Sequence, residues 1–270
     1  MIVPAPEPAY DLLFRLDGRK ALVIGAGGIG SEIARGLSSY GASVVCADTD
    51  ASTASQAASA AGAEWLVLDV TERNAVAQTA RELADLEILV LTAAMNVRKR
   101  ILDYDPGDID RVVSLNLVGT FSALQAFGRG MVDRKRGSIV VFSSVRAQVV
   151  EPGQGMYAAT KAGAIQLVKT AAAEFGHAGV RVNAVAPGVV ETPLTAQIKN
   201  TPDWYDAYAK KSALARWAGA KEMVGAVIFL ASDASSYVTG STITVDGGWT
   251  AIDGRFDPPL PTVAPDLGNG

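Results

Sequence analysis

Short apolar runs alternate with longer segments of helical periodicity along most of this chain. The runs have the length of strands and are rich in Val, Ile and Leu; they cover residues 21–24, 43–47, 65–68, 88–92, 138–143, 181–186 and 242–245. Nearly continuous apolar content is typical of parallel strands that are buried on both faces of a sheet. The pattern therefore predicts a parallel sheet.

Apolar residues at helical spacing fill five segments, which are residues 30–40, 73–84, 109–132, 156–176 and 221–232. Strands that alternate with helices are typical of an α/β fold, in which a Rossmann-like, doubly wound parallel sheet is flanked by helices. The chain has 270 residues, without an internal repeat or an obvious linker, so we expect a single domain. We predict that this domain spans residues 16–250.

Three segments fall outside the alternation. Residues 1–15 form a predicted leader, and residues 251–270 a predicted tail whose Pro and Gly content argues against a helix. Residues 193–217 contain Trp204, Tyr205 and Tyr208 and lie between the last two predicted strands. This aromatic insertion predicts a lid over a binding site; the alternative is a fixed helical insertion that packs against a neighbouring subunit.

The composition excludes several classes of function. No apolar run approaches the roughly 20 residues of a membrane span, and residues 1–11 lack the basic and apolar regions of a secretory signal. Cys46 is the single cysteine, which excludes an internal disulfide or a cysteine-cluster metal site and favours the reducing cytoplasm. A net charge of −4 without a dense basic stripe argues against a nucleic-acid partner. We expect no metal and no membrane partner.

A glycine-rich loop, Gly25-Ala26-Gly27-Gly28-Ile29-Gly30, directly follows the first predicted strand and opens the first predicted helix. Glycines let the backbone turn sharply and approach a pyrophosphate, while the helix N-terminus offers free N–H groups and the positive end of its dipole. A tight turn is the structural alternative for this motif alone. Its position between strand and helix favours a dinucleotide site.

Asp48 ends the second predicted strand, about 20 residues after the glycine loop. A carboxylate there accepts hydrogen bonds from the adenosine ribose hydroxyls and repels a 2′-phosphate. The glycine loop contains no Lys or Arg that would attract that phosphate. The sequence therefore predicts NAD rather than NADP as the cofactor; the alternative is that Asp48 only caps the next helix.

Tyr157 and Lys161 lie four residues apart in a predicted helix, so they project from one face. A tyrosine with its ordinary pKa of about 10 is a poor base at neutral pH, and a nearby ammonium favours the phenolate. Taken alone, such a pair is usually a solvated helix face. Ser144 follows an apolar run at the sheet edge where ligands bind, and Asn116 is an amide within an apolar segment. Asn116 could equally be a core residue satisfied by backbone.

Over roughly residues 16–250, the chain resembles the short-chain dehydrogenase/reductase family. The matching residues are Gly25–Gly30, Asp48, Asp69-Val70, Asn116, Ser144, Tyr157-Ala158-Ala159-Thr160-Lys161, Asn183, Pro187-Gly188, Thr192 and Tyr237-Val238-Thr239-Gly240. The resemblance implies that residues 16–250 are a dinucleotide-binding catalytic domain that transfers hydride between a nicotinamide cofactor and a secondary alcohol or ketone. It also suggests a homotetramer, with residues 109–132 and 156–176 as the pairing segments.

The resemblance implies a role for each matching side chain. Tyr157 is the general acid/base, Lys161 lowers its pKa and holds the nicotinamide ribose, Ser144 bonds the reacting oxygen, and Asn116 helps to hold a relay water. Asp69 and Val70 meet the adenine, and Val190 and Thr192 meet the nicotinamide carboxamide. The full set of implied cofactor contacts is Gly25, Gly28, Ile29, Gly30, Asp48, Asp69, Val70, Thr92, Ala93, Tyr157, Lys161, Pro187, Gly188, Val190 and Thr192.

Two departures from the family pattern concern the loops. Ile24 replaces the threonine before the glycine motif, and the spacing from Gly25 to Gly28 is one residue shorter than usual. The usual Asn-Asn-Ala-Gly after the fourth strand reads Leu91-Thr92-Ala93-Ala94, which removes an amide that ties the loops together. We expect Thr92 to supply part of that bonding.

Polar residues are expected around the open face of the site: Asn96, Arg98, Arg146, Gln148, Glu151 and Gln154. They favour a small-molecule substrate with several hydroxyls, such as a polyol or sugar alcohol, although exposed loops are commonly polar. One alternative is a reductase of acyl-thioester or other ketones, which would need basic residues at the second strand. The other is a non-catalytic NAD-binding module, which would not need Tyr157, Lys161 and Ser144.

Overall fold

The computed structural model describes residues 10–199 and 201–252. Most of the predicted leader and nearly all of the predicted tail lie outside the described residues. Within the leader, a 3₁₀ turn at Tyr10–Leu12 precedes the first strand. No helix in the described ranges combines the length and the apolar character that a membrane crossing requires.

A parallel sheet of seven strands forms the centre of the described structure. Its strands are β1 Lys20–Ile24, β2 Ser43–Asp48, β3 Glu64–Val67, β4 Ile88–Leu91, β5 Gly137–Phe142, β6 Val180–Pro187 and, after two short strands, β9 Thr242–Val245. They follow the spatial order β3-β2-β1-β4-β5-β6-β9. The strand order reverses between β1 and β4, and ligands of doubly wound sheets bind in the crevice at that point. The predicted fold class is confirmed.

Helices cover both faces of the sheet, as predicted. One face carries α1 Ile29–Ser39, α2 Ala51–Ala61 and α9 Val224–Ala231; the other carries α3 Arg73–Glu82, α5 Thr120–Asp133 and α6 Gly155–Phe175. The buried sheet residues divide between two apolar clusters, one for each face. Burial on both faces accounts for the continuous apolar content of the strands.

Helix α2 was not predicted from the sequence. It contains alanine, serine, threonine and glutamine, and its buried face consists of alanines at helical spacing with no large apolar residue to mark it. Its ends are nevertheless well defined: the Asp50 carboxylate accepts a hydrogen bond from Thr53 N at 2.6 Å, and Gly62 ends the helix with φ +61°. Alanines such as Ala54 and Ala57 are buried against the sheet.

The single helix predicted at 109–132 is interrupted in the structure. Helix α4, Pro106–Val113, passes into a π-helical turn at Ser114–Gly119, and α5 follows directly. A π turn widens the helix by one residue, and such turns are frequent at functional sites. Asn116 lies in this turn.

The 193–217 insertion forms a small helical unit. It contains α7 Ala196–Lys199 and α8 Pro202–Ala209, and the short strands β7 Val190–Glu191 and β8 Ala218–Gly219 pair beside its two ends. Buried Trp217 stacks on the Tyr205 ring at 5.0 Å and donates from Nε1 to the Tyr205 carbonyl at 3.0 Å. This unit borders the candidate site; its motion as a lid stays a prediction.

Candidate active site

Two adjoining cavities open at the carboxyl edge of the sheet. The first, of about 330 Å³, is lined by the glycine loop and the ends of β2, β3 and β4. The second, of about 500 Å³, is lined by the ends of β5 and β6, by α6 and by the 193–217 unit. Residues shared by both walls join them into one crevice; these are Ile29, Thr92, Ala94 and Thr192. The crevice therefore has room for an elongated ligand with its two ends in different cavities.

The glycine loop has a backbone path that side chains would block. Gly25 has φ +94°, and a Cβ there would lie 2.4 Å from Ala93 N. A Cβ on Gly30 would lie 1.9 Å from the Gly25 carbonyl oxygen. Gly28 begins α1 with no side-chain cap, and Gly27, Gly28 and Ile29 line the first cavity at this helix N-terminus. This cradle fits a pyrophosphate despite the shortened spacing.

Thr92 ties the end of β4 to the glycine loop. Its hydroxyl lies 2.6 Å from the Gly25 carbonyl and 3.0 Å from the Ile24 carbonyl, and it donates to them. The expected substitute for the missing family amide is therefore present, although it supplies one proton where an amide supplies two. Ala93, the next residue, lies in the wall of the first cavity.

The far end of the first cavity is lined by Asp48, Leu68 and Val70. Asp48 Oδ1 accepts a hydrogen bond from Asp50 N at 3.1 Å, which holds the carboxylate in this wall of the cavity. Asp69 does not line this wall. Its Oδ1 accepts from the N–H and hydroxyl of Thr71, at 2.8 and 2.7 Å, and the implied adenine contact of Asp69 stays a prediction.

Tyr157, Lys161 and Ser144 all line the second cavity. The spacing in α6 places Lys161 Nζ 5.7 Å from the centre of the Tyr157 ring. Lys161 is 4% exposed and donates to the Phe142 carbonyl at 2.7 Å. Burial disfavours the charged amine and lowers the Lys161 pKa to about 8.

Burial and neighbouring polar groups act in opposite directions on the pKa of Tyr157. Burial raises its pKa above the ordinary value, and a hydrogen bond with Ser144 and the charges of Arg146 and Arg98 act in the lowering direction. The lowering by Lys161 that the resemblance implies stays a prediction. Arg146 lies in a 3₁₀ turn at Val145–Ala147 and Arg98 in the loop after β4, so the residue spacing within α6 gave no signal for the effect of their charges.

Asn116 lies behind the cavity wall. Its Oδ1 accepts from Met95 N at 2.9 Å, and its Nδ2 donates to the Met95 carbonyl at 2.9 Å and to the Thr160 hydroxyl at 3.1 Å. The side chain therefore holds the loop after β4 against α6. These bonds agree with the alternative given above, in which Asn116 is a buried amide whose hydrogen bonds are satisfied within the protein. The contact with a relay water that the resemblance implies stays a prediction.

Residues after β6 form the opposite wall. Pro187, Gly188, Val190 and Thr192 line the second cavity. The Thr195 hydroxyl holds this turn, since it donates to the Val190 carbonyl at 2.7 Å and accepts from Thr192 N at 3.0 Å. The contacts of Val190 and Thr192 with the nicotinamide carboxamide and the cofactor contacts of Pro187 and Gly188, which the resemblance implies, stay predictions.

The polar residues expected around the open face separate into two groups. Lining side chains are Asn96, Arg98, Arg146 and Gln154, together with Tyr208 from α8. Glu151 does not line the cavity, but its carboxylate accepts hydrogen bonds from four of these lining side chains: Arg98, Arg146, Gln154 and Tyr208. Gln148 is exposed and lies outside both cavity walls. Sequence reasoning placed Tyr208 in the lid but did not connect it with Glu151. In the described ranges, no group of three or more His, Cys, Asp or Glu side chains is arranged to hold a metal ion.

Comparisons with known proteins agree with this arrangement. A family model described as enoyl-(acyl carrier protein) reductase matches residues 24–250. The chain is 39% identical to a galactitol 2-dehydrogenase (L-tagatose-forming) of Cereibacter sphaeroides, over 89% of this chain and 98% of that protein. It is 37% identical to a gluconate 5-dehydrogenase of Gluconobacter oxydans, over 88% and 97% of the two chains.

A solved structure shows the same fold. The gluconate 5-dehydrogenase of Burkholderia cenocepacia, in complex with NADP and tartrate, superposes with a TM-score of 0.86 at 35% identity, over 90% of this chain and 100% of that one. Matches of this extent, together with the motifs at the sheet edge, show that the chain belongs to the short-chain dehydrogenase/reductase family.

Proposed function

We propose that this protein is an NAD-dependent oxidoreductase that interconverts a secondary alcohol and a ketone, with a polyol or sugar alcohol as its substrate. The observation that carries the proposal is the joining of two cavities: a glycine cradle for a dinucleotide opens into a pocket that contains Tyr157, Ser144 and Lys161. A bound nicotinamide cofactor supplies the hydride acceptor or donor. The chain's own side chains supply proton transfer and orientation.

Tyr157 is the proton-transfer group of this proposal. In the oxidative direction its phenolate takes the proton of the substrate hydroxyl, and in the reductive direction its hydroxyl returns that proton to the carbonyl oxygen. Ser144 hydrogen-bonds the same oxygen and fixes its distance from Tyr157. Arg98 and Arg146 favour the phenolate against the effect of burial. Lys161 adds an amine that is held by the Phe142 carbonyl.

NAD is proposed over NADP because of the charge at the far end of the first cavity. The Asp48 carboxylate lies in that wall and would repel a 2′-phosphate, and none of the described residues in that wall is Lys or Arg. The solved relative from Burkholderia cenocepacia contains NADP, so the two cofactors must be compared directly. We expect a higher kcat/KM with NAD; a clear preference for NADP would end this part of the proposal.

Substitution of Tyr157 by phenylalanine tests the mechanism. Tyr157→Phe retains the ring and its packing but removes the proton-transfer group, so the variant should bind NADH with nearly unchanged affinity and lose turnover. Fluorescence titration of NADH measures the first property and steady-state kinetics the second. Retained turnover in Tyr157→Phe would refute the assignment.

A substrate panel tests the substrate class. The polar wall of the second cavity supports a hydroxyl-rich substrate, and relatives named galactitol and gluconate dehydrogenases point the same way. We expect turnover of tetritols, pentitols or hexitols with NAD. Because the matching family model is described as an enoyl-(acyl carrier protein) reductase, the panel also includes acyl thioesters. Turnover of ketoacyl thioesters alone would replace the polyol proposal with an acyl-thioester reductase.

A homotetramer in the cytoplasm completes the proposal. A cavity of about 490 Å³ between α5 and α6 is lined by Phe121, Leu124, Leu167 and Phe175, and Phe121 is 48% exposed. Exposed Phe121 and the other apolar side chains of this cavity, which lie beside Arg129, Asp133 and Glu174, support pairing of these helices between subunits. The single buried thiol, Cys46, suits a reducing compartment. Light scattering measures the assembly, and a monomer would contradict it.

A further inference from the structure

The ionisable side chains in the wall of the second cavity are basic or phenolic. Arg98, Arg146 and Lys161 line this cavity, and none of the described residues in its wall is Asp or Glu. Glu151 lies outside the wall, but its carboxylate bonds both arginines. A guanidinium in a protein is always protonated, so the two arginines and Glu151 together keep one net positive charge.

Arg146 is held firmly by the protein. It is 7% exposed, and its Nη2 donates to Glu151 Oε2 at 2.5 Å. Its guanidinium carbon also lies 6.0 and 5.0 Å from the ring centres of Tyr208 and Trp249. These contacts commit Arg146 to the packing of the wall.

Arg98 is held less firmly, because Glu151 has no capacity left for it. Its Nη1 donates to Glu151 Oε1 at 3.2 Å, and the same oxygen accepts from the Tyr208 hydroxyl. With Arg146 and Gln154 on Oε2, the carboxylate accepts from four donors, which saturates its roughly four acceptor positions. Glu151 therefore cannot bind a second N–H group of Arg98.

The remaining donors of Arg98 are free and accessible. Its Nε and Nη2 have no hydrogen-bond partner among the described residues. Within the described ranges, the enclosed side-chain polar atoms that lack a partner belong to Glu87 and Asn96, so Nε and Nη2 of Arg98 are not enclosed. The Arg98 side chain is 26% exposed and lines the second cavity. It can therefore donate to a molecule in that cavity.

The chemistry of the free donors indicates what they would bind. Nε and Nη2 lie on one edge of the planar guanidinium, and two parallel N–H groups match the two oxygens of a carboxylate. One carboxylate also balances the one net positive charge of the cluster. A phosphate ester, with roughly 1.5 to 2 negative charges at neutral pH, would exceed it. The cavity thus favours a singly charged carboxylate.

Arg98 and Tyr157 line the same cavity. We propose that the substrate is a polyhydroxy acid and that Arg98 is a specificity-determining residue, which binds the substrate carboxylate through Nε and Nη2 while a secondary hydroxyl reacts at Tyr157. The carboxylate itself takes no part in the transfer of hydride and proton. This inference rests on the proposed function and deepens it, because it narrows the hydroxyl-rich substrates to those that carry one negative charge.

The decisive measurement compares aldonates with their amides. An aldonamide has the carbon chain and hydroxyls of the aldonate but no charge, so the ratio of the two kcat/KM values reports on the carboxylate alone. The panel contains tetronates, pentonates and hexonates, each with its amide and its matching polyol, and NAD. We expect the wild type to prefer the best aldonate over its amide and its polyol by about tenfold or more, as for a charge-assisted hydrogen bond.

Two variants of Arg98 and one matched control test the residue. Arg98→Met removes the charge and the donors, so the ratio of aldonate to amide should fall by about tenfold or more. Arg98→Lys keeps the charge without the planar fork and should restore part of the ratio. Arg100→Met removes an exposed arginine of the same loop, outside both cavity walls, and should leave the ratio unchanged.

The ratio separates substrate binding from other roles of Arg98. The charge of Arg98 also favours the Tyr157 phenolate, and a variant that only loses this effect lowers kcat/KM for aldonate and amide equally. An unchanged ratio in Arg98→Met therefore overturns the inference. NADH affinity should stay unchanged in this variant, because Arg98 does not line the first cavity.

The remaining outcomes distinguish this inference from the proposed function. If the wild type turns over polyols or amides as well as aldonates, the inference is wrong and the proposed function stands. A preference for phosphorylated polyols over aldonates would also overturn the assignment of a carboxylate. Turnover of no secondary alcohol in the panel would remove the proposed function, and this inference with it.

Discussion

Replacement of Lys161 by methionine tests how strongly burial disfavours the charge on this amine. Lys161 is 4% exposed, and burial lowers its pKa from 10.5 to about 8. A tenfold change in proton affinity corresponds to about 1.4 kcal/mol, so the charged amine is disfavoured in the folded protein by about 3 kcal/mol. At pH 7, where the amine is charged in both the folded and the unfolded chain, the whole of this cost is present.

The pH dependence gives the sign of the expected effect. Between pH 8 and 10.5 the unfolded chain holds a proton on Lys161 that the folded chain has released, so the stability of the wild type rises with pH. Lys161→Met removes this dependence but leaves the Phe142 carbonyl without its donor, which costs roughly 1–3 kcal/mol at every pH. The stability of the variant relative to the wild type should therefore be highest near pH 7 and decline by about 3 kcal/mol by pH 10.5.

Urea unfolding of the cofactor-free proteins between pH 7 and 10.5 measures this difference. Lys169→Met, which removes an exposed lysine from the same helix α6, controls for the loss of one positive charge. The Lys161→Met protein should also have lost turnover. The wild type would then keep Lys161 for its function although burial of the charge lowers the stability of the fold. A stability difference that stays constant over this pH range would refute the reasoning.

Three further predictions concern the cofactor end. Thr92→Val keeps the shape of the side chain but leaves the Gly25 carbonyl without its donor, so NADH affinity should fall several-fold, and Thr92→Ser should restore it in fluorescence titrations. Gly30→Ala places a Cβ 1.9 Å from the Gly25 carbonyl oxygen and should abolish NADH binding. The control Gly225→Ala adds a Cβ in open space within α9, so it should keep NADH binding and raise the free energy of unfolding by roughly 0.5–1 kcal/mol in thermal unfolding. Asp48→Ala should lower the ratio of kcat/KM for NAD to that for NADP by about tenfold or more, and an unchanged ratio would show that Asp48 only caps α2.

Local patterns in the sequence were sufficient for the sheet and for the main motifs. Each predicted strand is present within a residue or two of its expected ends, because strands buried on both faces need continuous apolar runs. The glycine loop and the pair formed by Tyr157 and Lys161 are also local: the chemistry of each depends on residues that are close in the chain. The family resemblance rested on these same motifs and is confirmed.

Two helical features were not predicted from the hydrophobic period. Helix α2 has local signals in the Asp50 cap, in Gly62 and in buried alanines at helical spacing, but no large apolar residue marks its buried face. The π turn at Ser114–Gly119 interrupts a segment whose apolar period continues without a break. There, Asn116 gains partners from Met95 and Thr160, which only the folded chain brings within reach.

The sequence by itself determined the α/β fold class, and it predicted the dinucleotide loop and the proton-transfer residues. Only the tertiary structure decided what surrounds them: Arg98, Glu151 and Tyr208 come from three separated segments and meet at one edge of the sheet. The physical reason is the range of the interactions. Backbone conformation and hydrophobic period act between near neighbours, whereas a saturated carboxylate and the charges that shift the Tyr157 pKa depend on which loops the strand order places side by side.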